Sequence, residues 1–123
     1  MQPNTLAGKR VMIVEDEPLV AIEHAAALVD AGARIVATCT TVTAALRCAQ
    51  DSPIDVAVVD FVLPDGTSEP LQTLLKRRSI PFVVVSGYPR ALVRMEPGQE
   101  ILQKPVPRDV LYRGVRAACR RAA

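Results

Sequence analysis

Short apolar runs alternate along the chain with stretches whose apolar residues return every three or four positions. Residues 10–15 (Arg-Val-Met-Ile-Val-Glu) have the continuous hydrophobicity of a strand buried on both faces. Asp16-Glu17-Pro18 ends that run, and acids followed by proline suit a helix entrance. Over 19–30, Ile22, Ala25, Ala26 and Val29 recur at helical spacing, and Gly32 is a natural stop. Residues 33–38 predict a second strand around Ile35-Val36-Ala37. Thr41 is placed to cap a second helix with Val42, Ala45, Leu46 and Ala49 on one face, closed by Asp51-Ser52-Pro53. Residues 54–59 predict a third strand ending at Asp60, and Leu63-Pro64-Asp65-Gly66 reads as a turn. Ser68 is the expected cap of a third helix, with Pro70 in its first turn and Leu71, Leu74 and Leu75 as its apolar stripe.

Pro81-Phe82-Val83-Val84-Val85 predicts a fourth strand. Residues 89–98 predict at most a short helix with Ala91, Leu92 and Met95, between Pro89 and Pro97-Gly98. Residues 100–103 form a short fifth strand. A last helix over 108–121 carries Leu111, Val115 and Ala118 inward and Arg113, Arg116 and Arg120 outward. Five Val-rich strands alternating with helices imply an α/β fold, a parallel sheet covered on both faces. Right-handed crossovers then favour a doubly wound (βα)5 sandwich of flavodoxin-like strand order 2-1-3-4-5.

Composition narrows the class. The 123 residues are 50% apolar and 23% charged, which suits one globular domain over 1–123 with an ordered core at about 9–121. Aromatics are 3% with no Trp, so aliphatic side chains must fill the core. Fifteen basic against 13 acidic residues leave a net charge of +2, which points to no polyanionic partner. The arginines of the last helix have no aromatic platform beside them, so nucleic acid is not an expected partner. No apolar stretch approaches the ~20 residues of a membrane span, and the first ten residues are not ordered like a signal peptide. A cytoplasmic location is expected. Cys39, Cys48 and Cys119 are odd in number, lack a C-x-x-C spacing and have no nearby His, so they read as small hydrophobes. His24 reads as a surface or boundary residue of the first helix.

Chemistry gathers where the strands end. The first strand ends in Glu15 and Asp16, the third in Asp60, the fourth in Ser86-Gly87 and the fifth in Lys104-Pro105. In a doubly wound sheet these ends meet at one edge, where such folds bind ligands. Each residue has an ordinary role as well: turn aspartate, acidic helix start, turn serine, solvated lysine. Together they exceed what stability requires. Clustered carboxylates repel unless a cation neutralises them, and oxygen-only ligands suit Mg²⁺. A carboxylate can attack phosphorus and form an acyl phosphate. A lysine, a serine hydroxyl and a glycine would then accommodate the phosphoryl group.

The set Val14-Glu15-Asp16-Glu17-Pro18, Val59-Asp60-x-x-Leu63-Pro64-x-Gly66, Ser86-Gly87 and Lys104-Pro105 resembles the receiver domain of two-component response regulators across essentially the whole chain. Pro81-Phe82-Val83-Val84-Val85-Ser86-Gly87-Tyr88 is similar to the segment that names the FATGUY subclass, with Val85 and Ser86 in place of Ala and Thr. The resemblance implies that Asp60 is the phosphoacceptor. It implies Mg²⁺ held by Glu15, Asp16, Asp60 and the Val62 backbone carbonyl. Ser86 becomes the switch hydroxyl and Lys104 the phosphate-facing lysine. Ile101 stands where many receivers carry an aromatic residue three positions before the lysine, so aromatic rotation there cannot be the readout. Gly87, Tyr88 and the rest of 87–98 are then expected to be the mobile, partner-facing segment.

The implied activity is a switch. A histidine kinase or histidine phosphotransfer protein supplies the phosphoryl group, and a downstream protein reads the surface at 87–105. The only catalysis expected is of the chain's own phosphorylation and dephosphorylation. A homodimer is left open. The alternatives are a Mg²⁺-dependent aspartyl-phosphate phosphohydrolase or phosphotransferase, and a phosphate-independent adaptor. The chain offers no lid segment, Walker loop or G-x-G-x-x-G for the first, and its complete residue set argues against the second. Met1 and the short tail after the last helix suggest a single-domain regulator rather than a piece of a larger protein.

Overall fold

Strands buried on both faces need a layer of helices above and below, and the fold supplies both. The computed structural model describes residues 6–89 and 99–122. The elements are β1 (Arg10–Val14), α1 (Pro18–Asp30), β2 (Arg34–Cys39), α2 (Val42–Asp51), β3 (Val56–Asp60), β4 (Val62–Leu63), β5 (Gly66–Thr67), α3 (Glu69–Arg77), β6 (Phe82–Ser86), β7 (Ile101–Gln103) and α4 (Arg108–Ala122). Five strands form one sheet of order β2-β1-β3-β6-β7, every pair parallel. That is the expected 2-1-3-4-5 order, with β6 and β7 as the fourth and fifth sheet strands.

Alternation along the strands feeds two cores. Val11, Ile13, Val56, Val58, Val83 and Val85 pack under α1 and α4 with Leu28, Leu111 and Val115; Leu6 joins this layer. Met12, Val14, Ala57, Val59 and Val84 pack under α2 and α3 with Ala45, Ala49, Leu71 and Leu75. α4 lies so close to β7 that a Cβ added at Gly114 would stand 3.0 Å and 3.3 Å from the two Leu102 methyl carbons. Gly114→Val is therefore expected to destabilise the fold by about 1–3 kcal/mol, the usual range for overpacking. A urea titration with an unmoved midpoint would contradict that close approach.

Four expectations change. In α1 the buried residues are Ala21, His24, Ala27 and Leu28, whereas Ile22 is 63% and Val29 52% exposed. The helix is apolar almost all round, so its period did not select the inner face. His24 is buried at 5% exposure, not on the surface. The stretch read as a turn is a two-stranded antiparallel hairpin, Val62 opposite Thr67 and Leu63 opposite Gly66. Gly66 takes φ +136° there, a conformation that an L side chain resists. Ser68 stands at the entrance of α3 but makes no side-chain cap; its buried hydroxyl instead accepts from Gln72 Nε2 at 3.1 Å. Thr41 does cap α2, accepting from Ala44 N–H at 3.1 Å. The short helix expected within 89–98 lies outside the described residues, apart from Pro89.

Candidate functional site

Register aligns the strand ends. Val14 pairs with Val59, Asp60 with Val85, and Ser86 with Gln103. Glu15 follows β1 directly, Asp60 is the last residue of β3, Ser86 the last of β6, and Lys104 follows β7. The chain thus brings residues from four strands to one edge. A shallow cleft of about 280 Å³ opens there, lined by Asp16, Glu17, Asp60, Val62, Ser86, Gly87, Tyr88 and Lys104.

Lys104 organises the cleft. Its ammonium lies 2.9 Å from Glu15 Oε1 and 3.0 Å from Asp60 Oδ2. Glu15 is buried and its other oxygen accepts the Glu17 N–H at 3.1 Å. Asp60 is 5% exposed, while Asp16 stands in solvent at the rim. Carboxylate oxygens of Glu15, Asp16 and Asp60 come within 4.8 Å of one another, close enough to share one cation. Three carboxylates and one ammonium leave a formal charge of −2, and every side-chain donor atom is oxygen. That donor set fits a hard divalent cation.

The electrostatics divide the roles of the two buried acids. Burial alone raises Glu15, but Lys104, the Glu17 N–H and Asp60 outweigh it and hold the carboxyl below the usual glutamate range. Asp60 is pushed up to about 7, first by burial and then by the Glu15 charge, against the pull of Lys104. Burial lowers Lys104, but its two carboxylate partners prevail and raise it. Lys104 is thus a fixed cation, and Asp60 is the acid that a bound cation would ionise.

Ser86 and its neighbours form a second shelf. The Tyr88 N–H donates to Ser86 Oγ at 3.0 Å, which leaves the hydroxyl proton free to donate. Gln103 Nε2 donates to the Tyr88 carbonyl at 2.7 Å, and the Lys104 N–H to the Ser86 carbonyl at 2.8 Å. Tyr88 is 51% exposed. Ile101 is half-buried in β7 opposite Val84, away from the cleft lining. Of the segment 87–98, Gly87, Tyr88 and Pro89 are described and residues 90–98 are not.

A family model described as the response regulator receiver domain matches residues 11–116. The chain belongs to the response regulator receiver family. It is thus a receiver of two-component signalling, as its motifs implied. Phyllosphere-induced regulator PhyR of Methylorubrum extorquens is 29% identical over 106 residues, 81% of this chain and 40% of that protein. Sensor protein TorS of Escherichia coli is 32% identical over 113 residues, 86% of this chain and 12% of that protein. This receiver therefore spans less than half the length of either relative. The solution structure of SdrG from Sphingomonas melonis Fr1 superposes with a TM-score of 0.79 at 34% identity, covering 91% of this chain and 96% of that one.

Two contacts of this receiver were missed in the sequence. Asp65 accepts hydrogen bonds from the Val42 and Thr43 N–H groups, 23 and 22 positions upstream. Gln103 reaches the Tyr88 carbonyl across 15 positions. No local spacing announces either contact. No described helix is long and apolar enough to cross a membrane.

Proposed function

We propose that the chain is a phosphorylation-driven switch whose phosphoacceptor is Asp60. The observation that supports this most is the buried Asp60 carboxyl at the end of the central strand, 3.0 Å from the Lys104 ammonium and beside Glu15 and Asp16. The donor is a phosphohistidine of a sensor kinase or a histidine phosphotransfer protein. An Asp60 oxygen attacks phosphorus, the P–N bond breaks, the imidazole leaves with the electron pair, and an acyl phosphate forms. Glu15, Asp16, Asp60 and the Val62 carbonyl would hold Mg²⁺, which would neutralise negative charge as the acyl phosphate forms. Lys104 already bonds Asp60 and, among the described residues, is the nearest cation for a phosphoryl oxygen on it. The Ser86 hydroxyl has a proton left to donate to another.

Readout follows from differential contact: only the phosphorylated state gives Ser86 and Lys104 a phosphoryl oxygen to bind. The surface from Gly87 to Pro105 then changes toward a downstream protein, in the cytoplasm. A small phosphodonor with Mg²⁺ tests the reading. Intact mass should show one phosphoryl group, and beryllofluoride should shift the amide spectrum around Gly87 and Lys104. Steady turnover of donors without an adduct would instead mark a phosphohydrolase. Ser86→Ala should still take the label, yet its amide response to beryllofluoride should shrink. A wild-type response in that variant would exclude the hydroxyl as the coupling group.

A further inference from the structure

The hairpin that follows Asp60 is fastened to a helix outside the site. Pro64 and Asp65 form its tip, between Leu63 and Gly66. The Asp65 carboxylate accepts the Val42 N–H at 2.8 Å and the Thr43 N–H at 3.0 Å, and the Thr43 hydroxyl donates to it at 3.0 Å. The two main-chain donors are among the otherwise unpaired N–H groups of the first turn of α2. They hold the Asp65 carboxyl below the usual aspartate range. At the hairpin's base, the Phe61 N–H donates to the Val85 carbonyl at 2.8 Å and the Ser68 N–H to the Phe61 carbonyl at 2.9 Å.

Val62 lies between these two anchors and lines the cleft beside Asp60 and Asp16. A hairpin with two residues in each strand has too few contacts to hold its own shape. Its geometry is set from outside, by β6 at the base and α2 at the tip. The far end of α2 has its own tie: Arg78 Nη1 donates to the Ala49 carbonyl at 3.0 Å and the Gln50 carbonyl at 2.6 Å. Loss of either tie weakens α2, but only the Asp65 tie bears on Val62.

We propose that Asp65 is a positioning residue of the cation site, fixing through α2 the place of the Val62 main chain beside Asp16 and Asp60. This rests on the reading of the cleft as a Mg²⁺ site. On that reading the Val62 carbonyl is one of the cation's ligands, and Asp65 supplies the remote half of the restraint on it.

Mg²⁺ alone is the probe, titrated into the full chain and followed by amide shifts at the cleft, with melting temperature recorded for every variant. Asp65→Ala should weaken Mg²⁺ affinity by about tenfold, the lower end of what lost supporting contacts cost a metal site. Asp65→Asn, which keeps one acceptor oxygen, should fall between and serves if the alanine variant does not fold. Arg78→Ala is the control, destabilising α2 from its other end while Mg²⁺ affinity stays at the wild-type level. Unchanged affinity in both Asp65 variants, or an equal loss in Arg78→Ala, overturns the proposal. Wild-type protein whose cleft amides ignore Mg²⁺, with Asp16→Asn indistinguishable from it, removes the cation reading itself and the proposal with it.

Discussion

Asp60→Asn is expected to take no phosphoryl group from a small donor or from a phosphorylated kinase, while keeping its fold. The amide is close in shape to the carboxyl but has no nucleophilic oxygen anion. Neither neighbouring acid can substitute. Glu15 is buried and held by Lys104 at 2.9 Å and the Glu17 N–H at 3.1 Å. Asp16 stands at the rim, in solvent, with no lysine against it in the way Asp60 has Lys104. The ammonium keeps Glu15 as a partner in the variant, so the cleft does not acquire an unpaired buried charge. Intact mass and acid-labile label, each with Mg²⁺, decide the matter. Undiminished labelling of Asp60→Asn would reject the assignment of the phosphoacceptor.

What was legible in the sequence follows from which constraints are local. β1, β3 and β6 are buried almost throughout, and a short β-branched run such as Val56-Ala57-Val58-Val59 is what a strand covered on both faces requires. Chain order with right-handed crossovers then yields the strand order. Once that order is known, Glu15, Asp60, Ser86 and Lys104 must share an edge, and the structure places them there. The inner face of α1 was not legible, because Leu19, Ile22, Leu28 and Val29 offer apolar residues on opposite sides and only packing on the sheet chooses Leu28. Buried His24 escaped for the same reason. The hairpin at 62–67 hid behind a Pro-Asp-Gly turn signal, which is compatible with either structure. Asp65 reads as a turn residue, since its partners Val42 and Thr43 lie in a helix whose own cap, Thr41, already explains its start.

Asp60→Asn is also expected to be more stable than the wild type in the absence of Mg²⁺, by an amount that grows with pH. The Asp60 carboxyl lies at about 7 in the folded chain against 3.8 as the ordinary value. An acid raised on folding keeps its proton in the folded state where the unfolded state has released it. Its stabilising contribution is therefore full below about pH 4 and is lost as pH rises through about 7. At 1.36 kcal/mol per unit, the roughly three-unit shift amounts to at most about 4 kcal/mol. The asparagine never ionises and loses nothing over this range. His24 contributes the opposite slope, because burial holds its imidazole below the usual histidine range and acid must charge it. That slope is common to both proteins and cancels in their difference. Urea unfolding at pH 4 and at pH 8 should thus give nearly equal midpoints at the first and a clear advantage to the variant at the second. Mg²⁺ at about one hundred times its dissociation constant should return about 2.7 kcal/mol to the wild type, and less to the variant, which has lost one anionic ligand, and so narrow the gap. A gap that stays constant between pH 4 and 8, or one that Mg²⁺ leaves untouched, would show that the Asp60 charge is not what the folded cleft resists.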